Sequence, residues 1–321
     1  MQFFGQGKPS VGVIFDCDMG TRPETALALA VLYGLDGKNE CRVVVVSSTR
    51  SNLSSAAFCE VVGRFYAGAV SGAFGSFSRT LPVGLLADGV LKDETPMLTV
   101  PLSKKNAEGK PQYDHGINKL VDTAIAPALV RNALTAQFDQ NAIIVLAGPP
   151  TNLLQMLKLR DVPELVKAKV KHLVAADPKG AMALAAAGWP TPIYSISPSL
   201  GTQVMFPGEA VEKDFAWSPA HPVADAYKAA KPMPYDSPTS ELAAVLYAVR
   251  STDKAFALSE PVNGVRQVML APEAKDTLLK TFVELASAKP VPKAPRFRRQ
   301  VAADPAKPAA APVKPADPAK P

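Results

Sequence analysis

No stretch of this sequence stays apolar for the ~18 residues that a membrane-crossing helix needs. Its opening, MQFFGQGKPS, lacks a basic segment followed by an apolar run. Neither a membrane span nor an export signal is expected, so the chain reads as cytoplasmic with no membrane partner, although a mature exported chain would read the same way. Cysteine is scarce. Cys17, Cys41 and Cys59 are the three present and none forms a C-x-x-C pair, which argues against a disulfide framework and for reduced, mostly buried thiols. Surplus charge is also missing from the body of the chain. The formal net charge is +6, but from Lys289 onward there are eight Lys/Arg against two Asp, leaving 27 basic and 27 acidic residues before it. A basic groove tracking phosphates is therefore excluded as an expectation, and with it a nucleic-acid partner.

What remains is an ordinary globular composition, 47% hydrophobic and 20% charged over 321 residues, enough to bury one sizeable core. The order of elements points to an α/β fold. Val11 to Phe15 is a short apolar run ending in acidic loop residues, as a buried parallel strand does. Glu24 to Leu35 carries Leu27, Val31, Leu32 and Leu35 at helical spacing, with Gly37 as a stop. Arg42 to Ser47 reads as a strand and Ser54 to Ala67 as a helix. After a loop-rich stretch from Gly68 to Lys119, punctuated by Pro82, Pro96, Pro101 and Pro111, the alternation returns. It runs as helix Ala124 to Phe138, strand Asn141 to Ala147, helix Thr151 to Leu159, strand Val170 to Ala175, helix Lys179 to Ala187 and strand Pro192 to Ile196, with later helices at Glu241 to Arg250 and Ala274 to Ala286. Such alternation predicts a mainly parallel, Rossmann-like sheet with helices on both faces. Ligands then bind beyond the carboxyl ends of the strands. One domain is expected over residues 1–288, and residues 289–321, built from Ala, Pro, Lys and Asp, are expected to be a disordered tail.

The chemistry-bearing candidate is Asp16-Cys17-Asp18-Met19-Gly20 at the end of the first strand. An acidic pair there can present carboxylates to a metal, or it can be an Asp turn that caps the next helix. The haloacid-dehalogenase phosphatases use D-x-D-G-T at such a place, but Met19 here separates Asp18 from Gly20-Thr21. Asp16-Cys-Asp-Met-Gly20, then Glu24-Thr25, then Ala26-Leu-Ala-Leu-Ala30 resembles instead the D-x-D-x-G motif of the inosine/uridine-preferring nucleoside hydrolases. Leu146-Ala-Gly-Pro-Pro-Thr-Asn-Leu153 is similar to that family's G-P-L-T-N segment. Weaker similarity runs through Ser48 to Asn52, Leu81 to Gly84, Asp177 to Ala181 and Phe215 to Pro222, so the resemblance spans roughly residues 11–288.

The resemblance implies a nucleoside-hydrolase-like fold and hydrolysis of the N-glycosidic bond of a nucleoside or related glycoside by a calcium-activated water. Calcium takes six to eight oxygens and lowers the pKa of a bound water, and a neighbouring carboxylate removes its proton. Carried over position by position, Asp18 is the implied base and a calcium ligand. Glu24, the carbonyl of Thr151 and Glu241 complete the implied metal shell. Asp16 supports the loop and Asn52 lies near the sugar. A homo-oligomer is left open.

This sequence also departs from the motif. Thr25 replaces a carboxylate and Arg22 brings a cation to the implied metal, and both changes weaken divalent binding. Glu241 stands for the usual Asp, after Ser240. The sugar-holding Asn/Glu/Asn cluster that precedes D-P-x-x-A in the family is missing, since Lys171 to Ala176 runs straight into Asp177. Two functions follow: a calcium-dependent N-glycosyl hydrolase, or an inactive member that keeps the fold to bind a small ligand or a partner. His115, His172 and His221 read as loop or packing residues, and Phe215, Trp217 and Tyr227 as core side chains ahead of a base-stacking platform.

Overall fold

The computed structural model describes residues 10–67, 69–72, 75–78, 81–86 and 93–291. The expected tail lies outside the described residues beyond Val291. In chain order the elements are β1 (Val11–Cys17), α1 (Pro23–Gly37), β2 (Cys41–Ser48), α2 (Leu53–Ala67), a hairpin of β3 (Ala69–Gly72) and β4 (Gly75–Ser78), β5 (Val83–Leu85), α3 (Pro96–Ser103), β6 (Ala124–Ile125) and α4 (Ala126–Thr135). Then come β7 (Ala142–Ala147), α5 (Thr151–Leu157), α6 (Val162–Lys169), β8 (Val170–Ala175), α7 (Pro178–Ala186), β9 (Ile193–Ile196), α8 (Pro198–Gln203), β10 (Met205–Phe206) and α9 (Gly208–Lys213). The chain closes with α10 (Pro222–Ala230), β11 (Ser237–Pro238), α11 (Ser240–Val249), β12 (Phe256–Leu258), β13 (Val265–Leu270) and α12 (Lys275–Ala286).

Nine strands form one sheet in the order β12-β13-β9-β8-β7-β1-β2-β5-β6. All its pairings are parallel except β12 with β13. Strand alternation divides the interior into two cores. Val13, Phe15, Ile143, Val145 and Val174 face one, and Ile14, Ile144, Leu146, Leu173 and Ala175 face the other. The first core is covered by α1, α2, α10, α11 and α12, the second by α4, α5, α6 and α7. Both faces of the sheet are therefore dry, which is why its central strands read as unbroken apolar runs.

Helix α1 is buried nearly all round, from Thr25 to Leu35, because it lies against β2, α10, α11 and α12 at once. Its contact with α12 needs a missing side chain. A Cβ on Gly34 would sit 2.3 Å from the Leu285 carbonyl oxygen. Gly34→Ala is expected to cost about 1–3 kcal/mol through overpacking, read as a lower denaturation midpoint with an unchanged slope.

Several elements differ from the sequence expectation. The helix expected over Ala124 to Phe138 is strand β6 followed by α4, and it ends at Thr135. Pro127 explains the start, since a proline is tolerated only in the first turn and pushes its predecessor out of the helical region. The stretch read as loop contains α3, where Pro96 serves the first turn, as well as β5. Helices α6, α8, α9 and α10 and strands β12 and β13 were not expected. Among the described residues no helix is long and apolar enough to cross a membrane.

Candidate functional site at the carboxyl edge of the sheet

Asp16 lies mid-sheet, paired in register with Ser47 of β2 on one side and Leu146 of β7 on the other. Its Oδ1 accepts the Ser47 hydroxyl at 2.6 Å and the Asn152 amide at 2.7 Å, so one buried carboxylate oxygen ties together the acidic loop, β2 and the Gly-Pro-Pro-Thr-Asn segment. Its Oδ2 is buried with no hydrogen-bond partner. Burial pushes Asp16 up to about 7 against the pull of those two hydrogen bonds. The two motifs also touch through the backbone. A Cβ on Gly148 would stand 2.7 Å from the Asp18 amide nitrogen, so only glycine lets β7 end against this loop. Thr151 opens α5 just beyond, on the same loop.

Three implied metal ligands, Asp18, Glu24 and Glu241, face one another. Asp18 is 5% exposed and Glu241, in the first turn of α11, 3% exposed. Burial raises both, and Asp18 and Glu24 add to the rise at Glu241, which reaches about 8 even with Arg22 pulling it back. Burial likewise raises Glu24. Arg22 lies among them. Its guanidinium is 2.5 Å from Glu241 Oε1 and 3.9 Å from Asp18 Oδ1. Arg22 is the extended residue before α1, with Pro23 starting the helix, and that fixed entry sends its side chain toward α11.

A second cation was missed in the sequence. Arg50, 4% exposed, donates to the Thr21 hydroxyl at 3.0 Å and to the Asp93 carbonyl, and its Nε is buried without a partner. Among the described residues no carboxylate lies in ion-pair contact with it, although its charge lowers Asp18 from a distance. Gly20, at φ +108°, makes room for it beside Leu98. Its only sequence signal was position, two residues past the end of β2. Asn52 caps α2 by accepting the Ser55 amide at 2.9 Å and donates to the Asp93 carbonyl at 2.8 Å.

Solved structures share this whole arrangement of elements. A purine-preferring ribonucleoside hydrolase from Gardnerella vaginalis superposes with a TM-score of 0.58 at 15% identity, over 86% of this chain and 98% of that one. The chain has the nucleoside-hydrolase fold. An inosine-uridine preferring nucleoside hydrolase from Bacillus anthracis gives 0.56 at 13% identity, over 86% and 99%. The type III effector protein XopQ, described in complex with adenosine diphosphate ribose, gives 0.58 at 12%, over 87% and 94%. No protein-family model matches the sequence, and no curated protein does.

Within this nucleoside-hydrolase fold the donor set decides whether calcium suits the loop. Calcium needs six to eight oxygens. Here Thr25 contributes no charge, and a guanidinium stands between Asp18 and Glu241. Among the described residues no group of three or more His, Cys, Asp or Glu side chains is disposed to hold a metal ion. The residues present do not fit a resident calcium. The sugar side is also reduced: β8 ends at Ala175 and α7 opens at Pro178, with only Ala176 and Asp177 between them.

The histidines and large aromatics lie elsewhere, as packing residues. His221 caps α10 and is ringed by Phe65, Tyr66, Phe215 and Trp217. His172 contacts the Ala248 carbonyl at 3.1 Å. Burial pushes both down to about 4. Tyr227 stacks on Tyr235 at 4.4 Å, each hydroxyl donating to the other's carbonyl. A cavity of about 240 Å³ beside His221 and Asp225 is lined by none of the carboxylates of the acidic loop.

Proposed function

We propose that this chain is a divergent nucleoside hydrolase family member that binds a small nucleoside-like or glycoside-like molecule at the carboxyl edge of its sheet without hydrolysing it. One observation carries the reading: the Arg22 guanidinium lies where Asp18 and Glu241 would otherwise share a divalent ion. With that position filled by a side chain, no ion is held there to lower the pKa of an attacking water, and the base role implied for Asp18 loses its substrate proton. The short β8–α7 connection supports the same conclusion. Each charge-assisted hydrogen bond lost from the sugar removes ~1.5–3 kcal/mol of stabilisation. Binding without turnover remains well supported, because the fold's edge is intact and XopQ, on the same fold, is described holding a ribosyl ligand.

The test pairs a ribose-release assay over a nucleoside panel, with calcium supplied, with ligand-induced thermal shifts in chelator. The expected result is no release above the uncatalysed rate and shifts that chelator leaves unchanged. Calcium-dependent release that Asp18→Asn abolishes would make the chain a hydrolase instead.

A further inference from the structure

Buried oxygens without a hydrogen-bond donor are concentrated at this site: Asp16 Oδ2, Asp18 Oδ1, Glu24 Oε2, Asn152 Oδ1 and Glu241 Oε2. All are acceptors. A set of buried acceptors lacking donors is costly, and a cation or a donor-rich group is what would satisfy it. Arg22 is the cation that touches them, and it reaches only two of the carboxylates. It also differs from its neighbours in exposure. The Arg22 side chain is 47% exposed, whereas those of Asp18 and Glu241 are 7% and 4% exposed. The carboxylates belong to the interior, and the arginine enters from the surface.

We infer that Arg22 is a tethered replacement for a divalent cation, and that Asp18, Glu24 and Glu241, with Asn152 behind Asp16, form a latent divalent-cation site that this one side chain keeps closed. The inference rests on the reading that the natural chain takes no calcium, and it goes further by locating the reason in a single residue. A guanidinium offers five donors in a rigid plane, enough to bridge Glu241 and approach Asp18. It cannot draw in Glu24 Oε2 or Asp16 Oδ2 as a spherical ion with many oxygen ligands would. Without Arg22 the carboxylates repel one another, and an added divalent ion becomes the means of holding them together.

The experiment follows thermal melting and calorimetry of the full chain with calcium chloride alone, against sodium chloride at matched ionic strength. Arg22→Ala and Arg22→Ala/Thr25→Asp are compared with the natural chain and with Arg22→Lys, which keeps the charge. Both alanine variants are expected to gain a saturable calcium response, a rise of roughly 3–8 °C in Tm at calcium ~100-fold above Kd, larger for the double variant. The natural chain and Arg22→Lys are expected to show none. If Arg22→Ala folds poorly, refolding yield with and without calcium is read instead, and selective recovery by calcium supports the site. Variants as indifferent to calcium as the natural chain would overturn the inference while leaving the proposed function standing. Calcium binding with ribose release by the natural chain would overturn both.

Discussion

Stability is expected to hold level between about pH 4.5 and 6.5 and then to fall by roughly 2–3 kcal/mol by about pH 8.5. The carboxylates set the upper limb. Asp16 is raised from 3.8 to about 7 and Glu241 from 4.5 to about 8, so the folded state holds protons that the unfolded state has released. Stability from a raised acid is full below its unfolded pKa and is lost as pH rises through the folded one. The histidines set the lower limb with the opposite sign. His172 and His221 are lowered from 6.5 to about 4, so below pH 6.5 the unfolded state binds protons that the folded state refuses, and stability falls with pH. Two groups of each kind nearly cancel between pH 4.5 and 6.5, and above that only the carboxylates titrate. Glu241→Gln is expected to remove the larger share of the high-pH loss and Asp16→Asn a smaller one, because Glu241 titrates almost wholly within that window. Urea midpoints across pH for the three proteins check this. A natural chain more stable at pH 8.5 than at 6 contradicts it.

The two ends of the Arg22–Glu241 contact should respond unequally to mutation. Arg22→Ala is expected to cost about 1–3 kcal/mol, below the range for breaking a fully buried pair because Arg22 is half exposed, with the cost growing as pH rises. It leaves Glu241 buried beside Asp18 and Glu24, with no positive charge in contact among the described residues. Glu241→Gln leaves a guanidinium that can turn to water, and is expected to lie within about 1 kcal/mol of neutral at pH 6 and to stabilise at pH 8.5. The double variant Arg22→Ala/Glu241→Gln should recover most of the loss, so a double-mutant cycle yields a favourable coupling. Equal costs at both ends would mean that the contact acts by packing alone.

Much of the fold was legible because its signals are local. The run Val11 to Phe15, the valines of β2 and the apolar stretch of β7 are strands buried on both faces, and such strands advertise themselves in any sequence. The elements that were missed depend on partners. Helix α10 is announced only by His221 and Pro222, and α3 looked like a proline-broken loop although Pro96 stands where a helix start accepts it. The short strand β6 is held by two register pairs with β5, which no local pattern encodes.

The site was legible in outline. Asp16 and Asp18 marked the right strand end, and Asn152 lay inside the second motif. The relation that decides function was not readable, because Arg22 and Glu241 lie on opposite sides of the sequence and meet only when α11 packs against α1. Arg22 could be read as a cation near the loop, but not as one seated between two carboxylates. Arg50 was harder still, since nothing in Ser48-Thr-Arg-Ser-Asn52 says that its arginine is buried.

The most direct measurement is calorimetric titration of calcium into the natural chain at neutral pH. No saturable heat is predicted, because Arg22 already neutralises the carboxylates that calcium would need. One-to-one calcium binding that Asp18→Asn or Glu241→Gln abolishes would contradict the account.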